Sequence, residues 1–208
     1  MEEVVLYGLP PSTYVRTVLM TLEEKAVPYR LEQPDFRSAD YKSLHPFNRI
    51  PAFRHGDFKL FETLAIAVYI DEIFDGPRLQ PEKASGKALM LQWISATNDY
   101  LYDSILRACI AERFIKPMQG QAPDEEAIAR AKPTLAAHLD ILDRALSSTP
   151  YLAGDTVSLA DLFLAPIVFY LSNTPEGREL LPARSAVQGW HEKIAASESY
   201  SKVNTPIW

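Results

Sequence analysis

The chain changes character near its middle, and this change constrains the fold more than any other feature. Residues 75–86 read DGPRLQPEKASG, with two glycines, two prolines and several charges. Such a composition interrupts regular structure and is typical of a segment between folded parts. Strand and helix patterns alternate before it, whereas only helical patterns follow. We therefore predict one domain over 1–77, a linker over 78–86 and a second domain over 87–208.

The first domain is predicted to be α/β, with the element order βαβ-ββα. EVVLY and PYRLE are strand-like, and PAFRHGDFKLF gives two short strands around a His-Gly-Asp turn. Helical stripes are formed by Val15, Val18, Leu19 and Leu22, and later by Ile66, Tyr69, Ile70, Ile73 and Phe74. A strand–helix–strand unit of this length implies a parallel pair, and the hairpin adds antiparallel strands.

The second domain is predicted to be all-helical. Three groups of apolar residues have helical spacing: Met90, Ile94, Leu101, Ile105 and Ala108; Ile128, Leu135, Leu139, Leu142 and Leu146; Val187, Trp190 and Ile194. Pro133 and Pro166 fall inside helical patterns, so we expect a kink or a break at each. Ser158, with Asp161 three residues later, predicts a capping-box variant at a helix start.

Composition excludes several classes of function. The net charge of −6 argues against a general nucleic-acid binder, and an anionic ligand would need locally placed cations. No apolar run reaches the roughly 18 residues of a membrane span. The start MEEVVLYG lacks the features of a signal peptide, so a cytoplasmic location is expected. The single cysteine, Cys109, excludes an internal disulfide and a CxxC redox pair.

Ser12 is the first candidate site residue. It lies in YGLPPSTYVR, after Pro10 and Pro11 and just before the first predicted helix. Serine is a preferred N-cap, so a structural role accounts for it in isolation. A catalytic hydroxyl is the alternative. The hydrolase version of that alternative is weak, because no G-x-S-x-G elbow is present and nothing marks a histidine as its base.

Two further segments have both a structural and a functional interpretation. In RIPAF, Pro51 fits a turn or an edge strand, or else a cis-proline that turns the backbone of Ile50 toward a ligand. In FETLAIAVYI, Glu62 and Thr63 begin a helix. An acid and a hydroxyl stabilise any helix N-terminus, and free N–H groups at such a start also bind carboxylates.

The order of these features resembles the glutathione transferase family, most closely its serine-type members with phi-like features. LYGLPPSTYVRTVLMTLEE, HPFNRIPAF, FETLAIAVYI, FIKPMQG and YLAGDTVSLADLFLAP are similar to family segments, and together they cover nearly the whole chain. Arg16 follows the serine by four residues, as in theta- and delta-type enzymes. Departures are Thr63 in place of serine, and His45 and Asn48 in place of the common asparagine and glycine. The segment from Phe36 to Pro46 is also shorter than in phi-type proteins.

The resemblance implies a thioredoxin-like first domain, a helical second domain and glutathione as co-substrate, without a metal. Ser12 would stabilise the glutathione thiolate. This need not compete with capping, since the oxygen can accept from the helix while its proton points at sulfur. Thr13 is the close alternative hydroxyl.

The resemblance also implies how the rest of glutathione would be bound. Ile50, beside Pro51, would pair its backbone with the cysteinyl part. Glu62 and Thr63 would hold the γ-glutamyl end. Either Arg49 or Lys42 would neutralise the glycyl carboxylate. The electrophile would lie near four residues with apolar surface: Leu9, Pro11, Tyr102 and Ile115.

Alternatives within and outside the family stay open. One is a non-catalytic glutathione-transferase-like module that binds a protein partner. A glutathione-dependent peroxidase, dehalogenase or isomerase would use the same glutathione site. An omega-type thiol transferase needs a cysteine near position 12, and Cys109 lies in the helical domain instead. Family members pair the small domain of one subunit with the helical domain of the other, so a homodimer is expected.

Overall fold

The computed structural model describes residues 2–206. Within them the chain forms two compact units. The first contains residues 2–80 together with 198–206, and the second contains residues 81–197.

A four-stranded sheet forms the centre of the first unit. Its strands are β1 (Val4–Tyr7), β2 (Arg30–Glu32), β3 (Ala52–His55) and β4 (Phe58–Phe61). Their order across the sheet is β2-β1-β3-β4. β1 pairs with β2 in parallel, and the other two pairs are antiparallel. The predicted α/β class and the parallel and antiparallel pairs are confirmed.

Three helices follow the strands in this part of the chain: α1 (Thr13–Glu24), α2 (Ala39–Leu44) and α3 (Thr63–Ile73). α1 and α3 pack against each other. Their predicted apolar stripes supply much of the core, through Val15, Val18, Leu22, Ile66 and Ile70. α2 is not among the elements that the sequence predicts. α2 has six residues and buries only Tyr41 and Leu44, which is too short for a helical period to show.

A buried ion pair connects the end of α1 to α3 in the first unit. Lys25 Nζ lies 2.9 Å from Asp71 Oδ1, and each side chain is nearly inaccessible. The Asp71 carboxylate also accepts from the Leu79 backbone N–H at 2.9 Å, and Lys25 donates to the Pro77 carbonyl at 3.0 Å. These hydrogen bonds satisfy both charges, as burial requires, and they tie residues 77–79 to α1 and α3.

The second unit is helical. α4 (Ala84–Ala96) continues directly into a π-helical segment, Thr97–Ile115, and then come α5 (Lys116–Met118), α6 (Glu125–Leu146), α7 (Leu159–Ser172), α8 (Pro175–Leu180), a 3₁₀ turn (Leu181–Ala183) and α9 (Ser185–Ala195). Every residue of α7 from Leu159 to Leu171 is buried, so α7 is the central helix. Within residues 2–206, none of the helices is both long and apolar enough to cross a membrane.

Neither helical proline breaks its helix, although a kink or a break is predicted at each. Pro133 lies inside α6 and Pro166 inside α7, and each helix continues past its proline. A proline removes one backbone hydrogen bond, but both helices bury long apolar faces on either side of it. That packing offsets the lost bond.

The capping-box variant at the start of α7 is present and more extensive than predicted. The Asp161 carboxylate accepts from the Ser158 backbone N–H and hydroxyl, both at 2.9 Å. It also accepts from the Leu152 backbone N–H at 3.0 Å and from Trp190 Nε1 at 2.9 Å. A single buried side chain therefore joins the loop before α7, the start of α7 and α9.

A last short helix, α10 (Glu198–Val203), packs on α1 in the first unit. The predicted second domain, 87–208, includes these residues, whereas the structure groups them with the first unit. Lys202 pairs with Glu23 at 3.0 Å, the Ser199 hydroxyl donates to Glu24, and Tyr200 is buried.

Candidate active site

Strand register gathers three loops at one end of the sheet. Tyr7, the last residue of β1, is opposite Ala52, the first residue of β3. Ala52 is in turn opposite Phe61, the last residue of β4. The segment after β1, the segment before β3 and the start of α3 therefore lie side by side. These loops carry the predicted glutathione contacts of the first unit, apart from Lys42.

Ser12 is the N-cap of α1. Its Oγ accepts a long hydrogen bond, 3.4 Å, from the Val15 backbone N–H, and its own N–H donates to the Leu9 carbonyl at 3.0 Å. The side chain is half-buried. Within residues 2–206 its hydroxyl donates to no protein acceptor. Both interpretations of Ser12 thus coexist, because the oxygen caps the helix while the proton stays uncommitted.

Gly8 allows the loop after β1 to approach α1. A Cβ at this position would lie 2.5 Å from Val15 Cγ2, closer than side chains tolerate. This close approach brings the Leu9–Ser12 loop down onto the first turn of α1.

The Ile50–Pro51 peptide bond is cis, as one interpretation of RIPAF expected. The Tyr41 hydroxyl donates to the Arg49 carbonyl at 2.6 Å, directly before Ile50. Burial raises the pKa of Tyr41 to about 12, so this hydroxyl remains a donor at any physiological pH. Tyr41 also packs against Ala52 and Ile50. Sequence reasoning missed this contribution, for which the only signal was an aromatic residue inside a polar segment.

Glu62 adopts a backbone conformation that few residues other than glycine adopt. Its φ is +73°, in the left-handed region, at the N-cap of α3. Such conformations cost roughly 1–3 kcal/mol and cluster at functional sites. Glu62 is exposed, whereas Thr63, the first residue of α3, is buried. Within residues 2–206 no side chain caps this helix start, so its first N–H groups are available to an anion.

Two cations flank these loops. Lys42 on α2 and Arg49 before Ile50 are exposed, and within residues 2–206 neither forms a salt bridge with an acidic side chain. Asn48 has φ +52°, and asparagine is among the residues that best tolerate this region, which explains how it replaces the usual glycine. His45 is buried, and its pKa is lowered, chiefly by that burial.

The four residues predicted to contact the electrophile are divided between the two units. Leu9 and Pro11 belong to the loop before α1, where Leu9 is half-buried and Pro11 exposed. Tyr102 and Ile115 lie on the π-helical segment. Tyr102 packs under the Arg107 guanidinium, with 5.5 Å between Cζ and the ring centroid, and Ile115 is exposed.

Cys109 is not a candidate nucleophile. It is buried in the second unit, with its Sγ 3.4 Å from Glu176 Oε2. Burial, together with the Glu176 carboxylate, raises the pKa of the thiol to about 12. Only a thiolate is an effective nucleophile, so this thiol is inert at neutral pH.

The Cys109 environment gives a test by labelling. At pH 8 the folded protein should not react with an aromatic disulfide reagent, and denaturant should release one thiol per chain. The unfolded thiol ionises near its ordinary pKa of 9.0 and the folded thiol only near about 12. The contribution of Cys109 to stability is therefore complete below pH 9 and falls as pH rises toward 12. Rapid labelling of the native protein at pH 8 would contradict this environment.

Comparison with known proteins identifies the family. The family model "Glutathione S-transferase, N-terminal domain" matches residues 2–72, and "Glutathione S-transferase, C-terminal domain" matches residues 125–193. A glutathione S-transferase of Hyoscyamus muticus is 33% identical over 204 residues, which are 95% of this chain and 95% of that protein. The chain belongs to the glutathione S-transferase family.

Solved structures agree with this assignment. Glutathione transferase F7 from Populus trichocarpa has a TM-score of 0.87 at 33% identity, covering 96% of this chain and 97% of that one. Glutathione S-transferase I from mais, solved in complex with an atrazine glutathione conjugate, has a TM-score of 0.89 at 27% identity, covering 97% and 96%. The resemblance to serine-type, phi-like members of the glutathione S-transferase family is confirmed, as is the thioredoxin-like first domain followed by helices.

Proposed function

We propose that this chain conjugates glutathione to small, largely apolar electrophiles, and that the Ser12 hydroxyl stabilises the glutathione thiolate. The observation that carries this proposal is the uncommitted proton of Ser12, at the start of α1 and among three loops brought together by the strand register. Detoxification of reactive compounds is the physiological role that fits such a reaction.

The interactions that Ser12 and the start of α1 offer are strong enough to lower the pKa of the glutathione thiol. A free thiol has a pKa near ~8.5, and lowering it by about two needs ~2.7 kcal/mol of preferential thiolate stabilisation. A hydrogen bond to a charged group contributes roughly 1.5–3 kcal/mol, and a helix N-terminus adds roughly 0.3–1 kcal/mol. One serine at the start of α1 thus supplies most of the required stabilisation.

The reaction needs no group beyond the two substrates. The glutathione thiol loses its proton to solvent, and the sulfur lone pair forms a bond to an electrophilic carbon. In a displacement, the leaving group departs with the electron pair of the broken bond. In an addition, the proton is regained at the neighbouring carbon.

The proposal extends to the contacts of the other parts of glutathione. The Ile50 backbone, beside cis-Pro51, pairs with the cysteinyl part, and Tyr41 fixes this segment through the Arg49 carbonyl. The exposed Glu62 carboxylate faces the γ-glutamyl ammonium, and the α3 start at Thr63 receives the carboxylate. The proposed contacts of the electrophile remain Leu9, Pro11, Tyr102 and Ile115.

Two measurements test the function. The purified chain should bind glutathione-agarose and be eluted by free glutathione. It should also conjugate glutathione to a chlorodinitrobenzene faster than the uncatalysed reaction. Binding without turnover on a panel of electrophiles would favour the non-catalytic module. Turnover confined to a hydroperoxide, a halogenated acid or an isomerisable substrate would assign the same site to a peroxidase, dehalogenase or isomerase.

The cation that binds the glycyl carboxylate can be identified by two substitutions. Arg49→Ala should raise KM for glutathione about tenfold with little change in kcat, because a carboxylate contact stabilises ground and transition states alike. Lys42→Ala is the matched control, since both side chains are exposed and neither forms a salt bridge within residues 2–206. If only Lys42→Ala raises KM, the role passes to Lys42. If neither does, the cationic site is misassigned.

A homodimer is the proposed assembly. Phe47 is 71% exposed in the first unit, and Leu89 and Leu91 are exposed on α4 in the second. We propose these side chains as part of the contact surface, and two-fold dimers are the commonest oligomers. Sedimentation at micromolar concentration should give about twice 23.4 kDa, and Phe47→Glu should shift the mass toward the monomer. A wild-type species at 23.4 kDa would contradict the dimer.

The proposed location is the cytoplasm, a reducing compartment that suits a thiol co-substrate. The free thiol of Cys109 is compatible with it. Fractionation of the source cells would test this location directly.

A further inference from the structure

Arg16 on α1 is a completely buried cation whose side chain joins two distant parts of the chain. Its Nε donates to the Pro10 carbonyl at 2.8 Å. One terminal nitrogen donates to the Thr205 carbonyl at 2.8 Å, and the other lies 3.5 Å from Asn204 Oδ1. A buried guanidinium is costly unless its donors are satisfied, and here the planar fork bonds both segments at once.

The hydrogen bond to the Pro10 carbonyl fixes a loop that has few other ways to be held. Pro10 and Pro11 have no backbone N–H, so the Leu9–Ser12 loop has few donors with which to fix its own position. The Ser12 N–H closes one turn onto Leu9. The bond from Arg16 to the Pro10 carbonyl then holds the loop from the α1 side, two residues before the Ser12 hydroxyl.

The other end of this connection is firmly docked. Asn204 is buried and donates to Met20 Sδ at 3.3 Å, one turn further along α1. Before it, α10 is held by the Lys202–Glu23 ion pair and by the burial of Tyr200 and Val203. Residues 204 and 205 are therefore a fixed support for the Arg16 guanidinium.

We propose that Arg16 is a positioning residue for the reaction and that Asn204 and the Thr205 carbonyl complete its support. Through the Pro10 carbonyl, this connection sets the direction of the Ser12 hydroxyl and so the pKa of bound glutathione. The proposal rests on the proposed function of Ser12. It makes the C-terminal segment part of the catalytic apparatus without contact to either substrate.

The test compares the thiolate absorbance of bound glutathione against pH with steady-state kinetics. In Arg16→Lys, a single ammonium can bond one of the two carbonyls but not both. The apparent pKa of bound glutathione should rise by about one, and kcat at pH 6.5 should fall about tenfold. KM for glutathione should stay within about twofold. Asn204→Ala should also raise the apparent pKa of bound glutathione and lower kcat at pH 6.5, but by less than Arg16→Lys does.

Two further variants separate positioning from general stability. Asn204→Asp keeps the oxygen that faces Arg16 and should restore the wild-type values. Lys202→Met removes an ion pair that docks α10 but does not touch Arg16, and it should leave the pKa of bound glutathione unchanged. Should Arg16→Lys fail to fold, the Asn204 pair decides the question.

The outcomes are distinct from those of the proposed function. If wild type lowers the pKa of bound glutathione and Ser12→Ala restores it, while Arg16→Lys and Asn204→Ala match wild type, Arg16 is only structural and the inference fails. An equal effect of Asn204→Ala and Lys202→Met would also overturn it. If wild type itself leaves the pKa near that of free glutathione, both the proposed function and this inference fail.

Discussion

Ser12→Ala is expected to reduce kcat at neutral pH by about 100-fold or more, in line with the loss of one donor to a developing anion. The apparent pKa of bound glutathione should rise toward its free value of ~8.5. The fold should survive, because losing an N-cap costs about 1 kcal/mol. The measurements are the thiolate absorbance of the binary complex and kcat, each followed from about pH 6 to about pH 9. This range is wide enough to show the shifted pKa.

Thr13→Ala is the matched control. Its hydroxyl is one residue away but buried, as the first residue of α1. Near-normal turnover is expected for this variant. Normal turnover in Ser12→Ala combined with an inactive Thr13→Ala would transfer the role to Thr13. Normal turnover in both would remove hydroxyl activation from the mechanism.

Asp161→Ala is expected to have the largest effect on stability, lowering the free energy of unfolding by on the order of 4 kcal/mol. The variant leaves four donors without their acceptor: the Ser158 N–H and hydroxyl, the Leu152 N–H and Trp190 Nε1. They are buried, so water cannot readily replace the carboxylate. Denaturant titration followed by the fluorescence of the tryptophans measures the loss.

Asp124→Ala provides the comparison, because it removes the same side chain from the start of another helix. Asp124 is exposed at the N-cap of α6 and accepts from the Ala127 N–H at 2.9 Å. Its loss should cost about 1 kcal/mol. Equal effects for both variants would mean that the buried hydrogen bonds of Asp161 contribute little beyond an ordinary cap.

The elements predicted well from sequence are those with a clear local signal. β1 is a short apolar run that ends before Gly8, β3 and β4 flank a His-Gly-Asp turn, and the stripe beginning at Val15 repeats at helical spacing. Ser12 was recognised for the same reason, since a serine before a helical stripe indicates a cap. The position of the three site loops then follows from strand pairing. The order of strands and helices along the chain already limits which strands can pair.

The features that escaped the sequence depend on tertiary contacts. α2 is short, and its Tyr41 hydroxyl reaches the Arg49 carbonyl, a contact that no local period records. In the π-helical segment, buried residues recur at steps of four and five, as Leu101, Ile105 and Ile110 do, and short stretches of this kind resemble an ordinary helix. Pro133 and Pro166 indicate breaks only when the packing around them is ignored.

The return of residues 198–206 to the first unit has a consequence for biosynthesis. The ribosome releases the sheet and α1 early. The face of α1 that receives α10 stays uncovered, and Arg16 lacks its Asn204 and Thr205 acceptors, until residues 198–205 have been synthesised. An emerging first unit is therefore complete in its strands but open along one helix until translation has passed Thr205. The support that we propose for the Ser12 loop is then completed only after residues 198–205 have been synthesised.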